Sequence, residues 1–137
     1  MMTNVTAISS GGAHGSGVDN YLSSPVMINV TASASGGTGT NYGVYNDSSS
    51  PTIQNCVISA SGGTNDGLHN IANSGTYAVK INSSQITGGP STIYQDGHYT
   101  TYVGASQLTG GGAYGGTYVC VASYNGNYVP LTSTCQP

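Results

Sequence analysis

Apolar residues recur along the chain at intervals of about 25 residues, and polar residues flank each of them. One series predicts a buried column with one member per repeat: Val18, Val44, Leu68 and Ile93. Because successive residues of a strand point to opposite faces, the residues that follow should face outward: Asp19, Tyr45, His69 and Tyr94. The pattern therefore predicts short strands that restart at the same position of each repeat.

Glycine pairs mark the period of the repeat. They lie at Gly11-Gly12, Gly36-Gly37, Gly62-Gly63 and Gly88-Gly89. Gly, Ser, Thr and Asn suit strands and turns better than helices, and a period of this size fits one turn of a parallel β-helix. We predict an all-β solenoid of about four to five coils with a C-terminal cap. Residues 1–97 are assigned to the β-helix repeats, and residues 98–137 to a terminal coil and the cap.

Two further columns complete the predicted core. Their members are Met27, Ile53 and Ile81 in one column, and Ala32, Ile58 and Ile86 in the other. Amide residues recur beside the core: Asn4, Asn29 and Asn55 in one series, and Asn20, Asn46, Asn70 and Gln95 in another. We expect these amides at corners, where they can donate and accept hydrogen bonds between adjacent coils.

The repeat fades from His98 onward, and the segment that follows is rich in tyrosine, whose rings could cover the end of the core. Cys120 and Cys135 enclose Asn125-Gly126, a hairpin-type turn. Such a turn would bring the two cysteines together in a disulfide, which is typical of oxidising compartments. The alternative is a pair of reduced thiols within the cap. Cys56 falls in an inward column and is expected to be a small buried apolar residue.

Charge is nearly absent from this chain. Charged residues make up 4% of it, with one lysine, no arginine and four aspartates. Nucleic-acid binding needs clustered cations for the phosphates, so that class is excluded. No apolar run reaches the 18 residues of a membrane-spanning helix, and no membrane insertion is expected.

Catalytic groups are sparse. Hydrolysis of polysaccharides uses paired carboxylates, whereas Asp47 and Asp96 occupy similar positions two coils apart, about 10 Å along the axis. The three histidines show no metal-ligand spacing: His14, His69 and His98. We expect no catalytic residues, no metal site and no cofactor.

The outward aromatic series is the candidate binding site. Tyr45, His69 and Tyr94 share one column, and Tyr42 lies close by in sequence. Aromatic rings on a sheet face can stack on sugar rings, so these four residues are the candidate glycan-contact face. The alternative is ordinary packing of exposed side chains along a sheet.

Two segments carry a family resemblance. Gly-Val-Tyr-Asn-Asp-Ser-Ser-Ser-Pro-Thr-Ile-Gln-Asn (43–55) and Val-Ile-Ser-Ala-Ser-Gly-Gly-Thr-Asn (57–65) resemble repeats of bacterial right-handed parallel β-helix proteins of the pectin-lyase-like superfamily. The resemblance implies a right-handed coil. Some relatives are adhesins, and others are fibre-like phage parts that are often trimeric. The catalytic Arg or Lys and the calcium-binding acids of the lyases have no counterparts here.

The combined expectation is a non-enzymatic, structural or adhesive β-helix module, extracellular or on a cell surface. It would form the C-terminal part of a longer surface or fibre-like protein. Its first coil would abut an upstream domain, further coils or another subunit, and a homotrimer fits the pattern. The alternatives are a carbohydrate-binding module and a relative of polysaccharide lyases or hydrolases. Ice binding fits least, because the aligned Thr6 and Thr31 are not continued in later coils.

Overall fold

The computed structural model describes all residues from Met1 to Pro137, and every regular element in it is a β-strand. In chain order the strands are β1 (Met2–Thr3), β2 (Thr6–Ser10), β3 (His14–Tyr21), β4 (Val26–Ile28), β5 (Thr31–Ser35), β6 (Thr40–Asp47), β7 (Thr52–Gln54), β8 (Val57–Ala60), β9 (Thr64–Ile71), β10 (Tyr77–Asn82), β11 (Gln85–Gly88), β12 (Ser91–Gln95), β13 (Tyr99–Gly104), β14 (Gln107–Gly110), β15 (Ala113–Tyr114), β16 (Thr117–Val121) and β17 (Tyr124–Asn125).

The strands form three parallel sheets, and each coil except the last contributes one strand to each sheet. The strand orders are β1-β4-β7-β10-β13-β16 in sheet A, β2-β5-β8-β11-β14-β17 in sheet B, and β3-β6-β9-β12-β15 in sheet C. Each strand pairs with the strand one coil away, as Val44 does with Val18 on one side and Leu68 on the other. The predicted all-β parallel solenoid is confirmed.

The core is a stack of apolar side chains inside the solenoid. The predicted inward columns are buried: Val18, Val44, Leu68 and Ile93, then Met27, Ile53 and Ile81, then Ala32, Ile58 and Ile86. All ten belong to one continuous cluster, which also contains Cys56. Each buried Val, Leu, Ile or Met side chain in this cluster contributes about 1.5–3 kcal/mol of hydrophobic stabilisation.

A residue with a left-handed backbone turns the chain between sheet A and sheet B in every coil. The series is Asn4, Asn29, Asn55, Ser83, Ala105 and Ala122, with φ between 46° and 57°. Apart from glycine, asparagine adopts this conformation most readily, which accounts for the first three members. The expected amide bridge is present once, where Asn29 Nδ2 donates to Asn4 Oδ1 over 3.1 Å.

The coil continues beyond residue 97, although the sequence repeat fades there. Buried serines follow the left-handed corner in the later coils, and each hydroxyl accepts a hydrogen bond from the backbone of the previous coil. Cys56 N donates to Ser84 Oγ, Ser84 N to Ser106 Oγ, and Ser106 N to Ser123 Oγ. The separations fall from 28 to 22 to 17 residues. The coils therefore shorten while the corner keeps its hydrogen bonds.

The C-terminal segment folds back on the last strands. Tyr128 N donates to Asn125 O over 3.0 Å, which closes the predicted turn, and Tyr124 bridges Pro130 in antiparallel fashion. The predicted disulfide joins Cys120 to Cys135, with 5.2 Å between their Cα atoms. A disulfide indicates an oxidising environment. The role of this segment as a cap stays a prediction.

We predict that Ala105→Gly stabilises the protein. Ala105 is exposed and has a φ of 46°, a region that costs an alanine about 1–2 kcal/mol and a glycine almost nothing. Allowing for the greater freedom of unfolded glycine, the free energy of unfolding should rise by about 0.5–1 kcal/mol, measured by urea titration. The matched control is Ala7→Gly inside β2, which should destabilise; a loss of stability in Ala105→Gly would contradict the argument.

We predict that the disulfide stabilises the fold by about 3 kcal/mol, the value expected for closing a loop of its size. The variant with Cys120→Ala and Cys135→Ala should unfold at a correspondingly lower urea concentration. Dithiothreitol should lower the midpoint of the parent protein and leave that of the double variant unchanged. A parent protein that unfolds identically with and without dithiothreitol would overturn this prediction.

Candidate glycan-contact face

Sheet C brings the four predicted aromatic residues into one cluster on its outer face. Tyr45 of β6 lies opposite His69 of β9, and His69 lies opposite Tyr94 of β12. Their neighbours toward the N-terminus are buried in the core, which turns these rings outward as strand alternation requires. The parallel register thus places one aromatic ring on each of three successive coils.

The rings stack on one another along the solenoid axis. The ring centroids of Tyr45 and His69 are 5.6 Å apart with planes 10° from parallel, and those of His69 and Tyr94 are 4.8 Å apart at 17°. Tyr42 packs at the side, 4.3 Å from His69 and 5.4 Å from Tyr45. The spacings between Tyr45, His69 and Tyr94 are close to the separation of neighbouring strands. The stack therefore follows directly from the coil repeat.

Tyr42 joins this cluster because the alternation of β6 breaks at Gly43. Gly43 and Val44 are both buried, whereas Tyr42 and Tyr45 on either side are both partly exposed. A Cβ at Gly43 would lie 2.5 Å from Ile58 Cγ2 and 2.6 Å from the backbone oxygen of Gly67. Only glycine allows sheet C to approach sheet B this closely. This break in the alternation places two tyrosines three residues apart on the same face.

The equivalent glycine in the next coil, Gly67, is preceded by a further residue of this cluster, Asp66. Asp66 lies opposite Tyr42 and precedes Gly67, just as Tyr42 precedes Gly43. Its Oδ2 lies 2.7 Å from His69 Nδ1, and the residue is 5% exposed. This is the only ion pair of the chain when His69 is protonated. The position before the glycine was the sequence signal that could have identified Asp66.

The electrostatic surroundings of the stack are acidic. Partial burial, and then the carboxylates of Asp47 and Asp19, raise the pKa of the Tyr45 hydroxyl. The hydroxyl therefore stays protonated into alkaline solution and remains a hydrogen-bond donor. Asp19 lies opposite Tyr45 in the adjacent strand. The face thus offers hydroxyl donors and carboxylate acceptors together.

Stacking determines which parts of the rings a ligand could reach. Tyr45 and Tyr94 cover the two faces of the His69 ring, so this ring presents mainly its edge. Tyr114, the next residue in register after Tyr94, instead donates its hydroxyl to the backbone oxygen of Gly111. A bound sugar would meet ring edges and tyrosine hydroxyls along most of the stack.

A ladder of buried amides supports the strands beneath the rings. Asn20 Nδ2 donates to Asn46 Oδ1 over 2.8 Å, and Asn46 Nδ2 donates to Asn70 Oδ1 over 2.7 Å. The ladder stops there. Gln95 Oε1 accepts from Thr101 Oγ1 over 2.5 Å instead, and Asn70 Nδ2 has no partner. The predicted amide bridging is confirmed for this series, although its members lie within strands.

Tyr99 ties several coils together from inside the solenoid. Its hydroxyl accepts from Ser49 N over 3.0 Å and lies 3.2 Å from the backbone oxygen of Ile71 and 3.4 Å from that of Asn46. Burial is the main reason that the pKa of Tyr99 rises to about 12. The strand end that carries Tyr45 is thereby anchored to the core.

Asp96, His14 and His98 form local hydrogen bonds away from the stack. Asp96 accepts from the backbone N–H groups of Ala72 and His98, at 2.6 and 2.9 Å. His14 Nδ1 lies 2.6 Å from Thr40 Oγ1, and His98 Nδ1 lies 3.0 Å from the backbone oxygen of Gly75. No group of three or more potential metal ligands is assembled. No helix long and apolar enough to cross a membrane is present.

Comparison with protein-family models, with curated proteins and with solved structures found no match to this chain.

We predict that Tyr99→Phe destabilises the protein by about 1–3 kcal/mol at neutral pH, because the buried N–H of Ser49 loses its partner. The control is Tyr128→Phe, whose hydroxyl is on a ring that is 75% exposed and whose loss should be nearly neutral. Urea titration of both variants measures the difference.

Alkaline pH provides a second readout for Tyr99. Its raised pKa means that the folded state favours the neutral phenol, so this stabilisation is complete below about pH 10. It is lost as the pH rises from about 10 to about 12. Tyr99→Phe should therefore flatten the decline in stability over this window. If the free energy of unfolding of Tyr99→Phe declines with pH as steeply as that of the parent protein, Tyr99 does not contribute to the decline and the prediction is wrong.

Proposed function

We propose that this protein is a non-enzymatic structural and adhesive module that acts outside the cell and contacts glycans through sheet C. One observation carries the proposal, namely the stack of Tyr42, Tyr45, His69 and Tyr94 on the outer face of three successive coils. A rigid surface that repeats once per coil suits a polymer whose units also repeat. Carbohydrate binding is thus the form of adhesion favoured here.

The mode of contact follows from ring stacking. Most ring faces are covered by other rings, so the hydroxyls of Tyr45 and Tyr94 and the carboxylates beside them would hydrogen-bond to sugar hydroxyls. Charge-assisted hydrogen bonds to a carboxylate are the stronger ones. Asp66 would act indirectly, since its hydrogen bond orients the His69 ring. Neutral glycans are favoured over acidic ones, because the acids of this face would repel anionic sugars.

The absence of catalysis is part of the proposal. Asp96 and Asp66 are occupied by hydrogen bonds to backbone N–H groups and to His69. Asp47 accepts from Ser48 Oγ over 2.9 Å. A carboxylate that acts as general acid or base must face the scissile bond together with a second one, and these contacts instead serve the turns and the ring stack.

The extracellular assignment rests on the disulfide and on the resemblance to pectin-lyase-like β-helix proteins. Within that assignment, the module belongs to a longer surface or fibre-like protein. The first coil would be the place where further coils, an upstream domain or other subunits of a homotrimer attach, because β1, β2 and β3 each pair on one side only. Such edges invite pairing with another chain.

We predict that the parent protein binds a subset of neutral glycans on an array, and that Tyr45→Phe combined with Tyr94→Phe weakens this binding about tenfold. The phenylalanines preserve the stack and remove two hydrogen bonds, each worth about 0.5–1.5 kcal/mol. Tyr102→Phe on sheet A is the matched control and should bind as the parent does.

Three outcomes would contradict the proposal. The parent protein could give no glycan signal, the double variant could bind as tightly as the parent, or the control could lose binding equally. The non-enzymatic part has its own test, in which the protein is incubated with uronide polysaccharides with and without calcium. Release of unsaturated products would overturn it.

A further inference from the structure

A groove of about 520 Å³ crosses the outer face of sheet A, away from the aromatic stack on sheet C. It extends over four successive strands, β7, β10, β13 and β16. At the spacing of neighbouring strands its length is about 14 Å. This size lies within the usual range for small-molecule sites.

The chemistry of the groove changes from one end to the other. Thr52, Lys80, Tyr102 and Val119 lie in register across the four strands, one per coil. The first two are polar or charged, and the last two offer an aromatic ring and an aliphatic side chain. A second row of residues in register shows the same order. It runs from Asn82, which is polar, past Gly104 to Val121, which is apolar and 66% exposed. The groove is therefore polar at one end and apolar at the other.

Gly104 opens the middle of the groove. It sits in register between Asn82 and Val121, and it provides no side chain to fill the space beside Tyr102. A Cβ at this position would lie 3.2 Å from Asn82 Oδ1. The backbone of Gly104 does not need glycine, since its φ is not in the left-handed region. The missing side chain thus shapes the groove rather than the fold.

The polar end of the groove holds the only side chain of the protein that is permanently cationic at neutral pH. Lys80 is the single lysine of a chain without arginine. No aspartate pairs with it, because the only ion pair of the chain joins His69 to Asp66. The lysine is exposed, and its ammonium group is free to meet an external anion. An unpaired cation beside an apolar groove is complementary to a ligand that has one negative charge and an apolar chain.

We propose that this groove binds an amphipathic monocarboxylate, such as a medium-chain fatty acid. The carboxylate lies at Lys80, within reach of the Thr52 hydroxyl and the Asn82 amide. The chain runs along the solenoid axis over Gly104 and packs against Tyr102, Val119 and Val121. Charge complementarity fixes the direction of the ligand, and burial of the chain contributes most of the affinity. The site is independent of the glycan-contact face, so either can fail without the other.

The test is a titration of the isotope-labelled protein with octanoate below its micelle concentration, followed by amide chemical shifts. Saturable shifts are expected at the amides of Lys80, Tyr102, Gly104 and Val119. Octanol lacks the charge and acetate lacks the chain, so both should bind more weakly. Lys80→Gln should weaken octanoate about three- to fivefold, the usual strength of an exposed ion pair, and should leave octanol binding unchanged.

Gly104→Val should abolish octanoate binding, because its side chain fills the groove. Gly104→Ala is the milder variant if valine disturbs folding, and Thr31→Val on sheet B is the matched control that should bind as the parent does. The proposal is overturned if the shifts do not saturate or map to another face. It is equally overturned if octanol binds as tightly as octanoate, or if Lys80→Gln and Gly104→Ala leave the affinity unchanged.

Discussion

The parallel, in-register pairing of each strand with the strand one coil away is the constraint on which this structure depends. It sets a fixed spacing along the axis, and every equivalent side chain inherits that spacing. This pairing produces three columns of side chains: the buried column that contains Val44, the amide ladder that contains Asn46, and the ring stack that contains Tyr45. A change of register by one residue would turn all three columns to the wrong face at once.

The solenoid needs few charged side chains, because uncharged polar groups make the hydrogen bonds between its coils. Amides and hydroxyls satisfy the polar backbone at corners, as Ser106 does for the N–H of Ser84. Their hydrogen bonds do not depend on the ionisation of either partner. Two of the few charged side chains are therefore found at the candidate binding sites. Asp66 lies beside the His69 ring, and Lys80 lines the groove on sheet A. Lys80 is exposed and keeps its hydration, whereas Asp66 is buried and is compensated by its contact with His69.

The sequence was sufficient for the features that repeat with the coil. The alternation around Val44 and the recurrence of Asn46 predicted the core column and the amide ladder, because strand geometry fixes both. The clustering of Tyr42 with His69 was not predictable in detail, because it depends on a close approach of two sheets at Gly43. After residue 97 the sequence predicts a terminal coil, but the fading repeat does not locate the corners of that coil. Backbone pairing needs no sequence similarity, and Ser106 and Ser123 keep the corner although little else of the repeat remains.

The amide ladder has a direction, and this direction bears on how the solenoid can change its length. Asn46 accepts a hydrogen bond from Asn20 of the preceding coil and donates one to Asn70 of the next coil. Consider an extra coil inserted between Asn20 and Asn70 with an asparagine at the equivalent position. That asparagine would accept a hydrogen bond from the amide of the preceding coil and donate one to the amide of the next coil. A coil inserted after Asn70 would not continue the ladder on both sides, because the Gln95 side chain accepts its hydrogen bond from Thr101 instead. Internal duplication is therefore easiest in the first half of the chain, where it would also lengthen the aromatic stack.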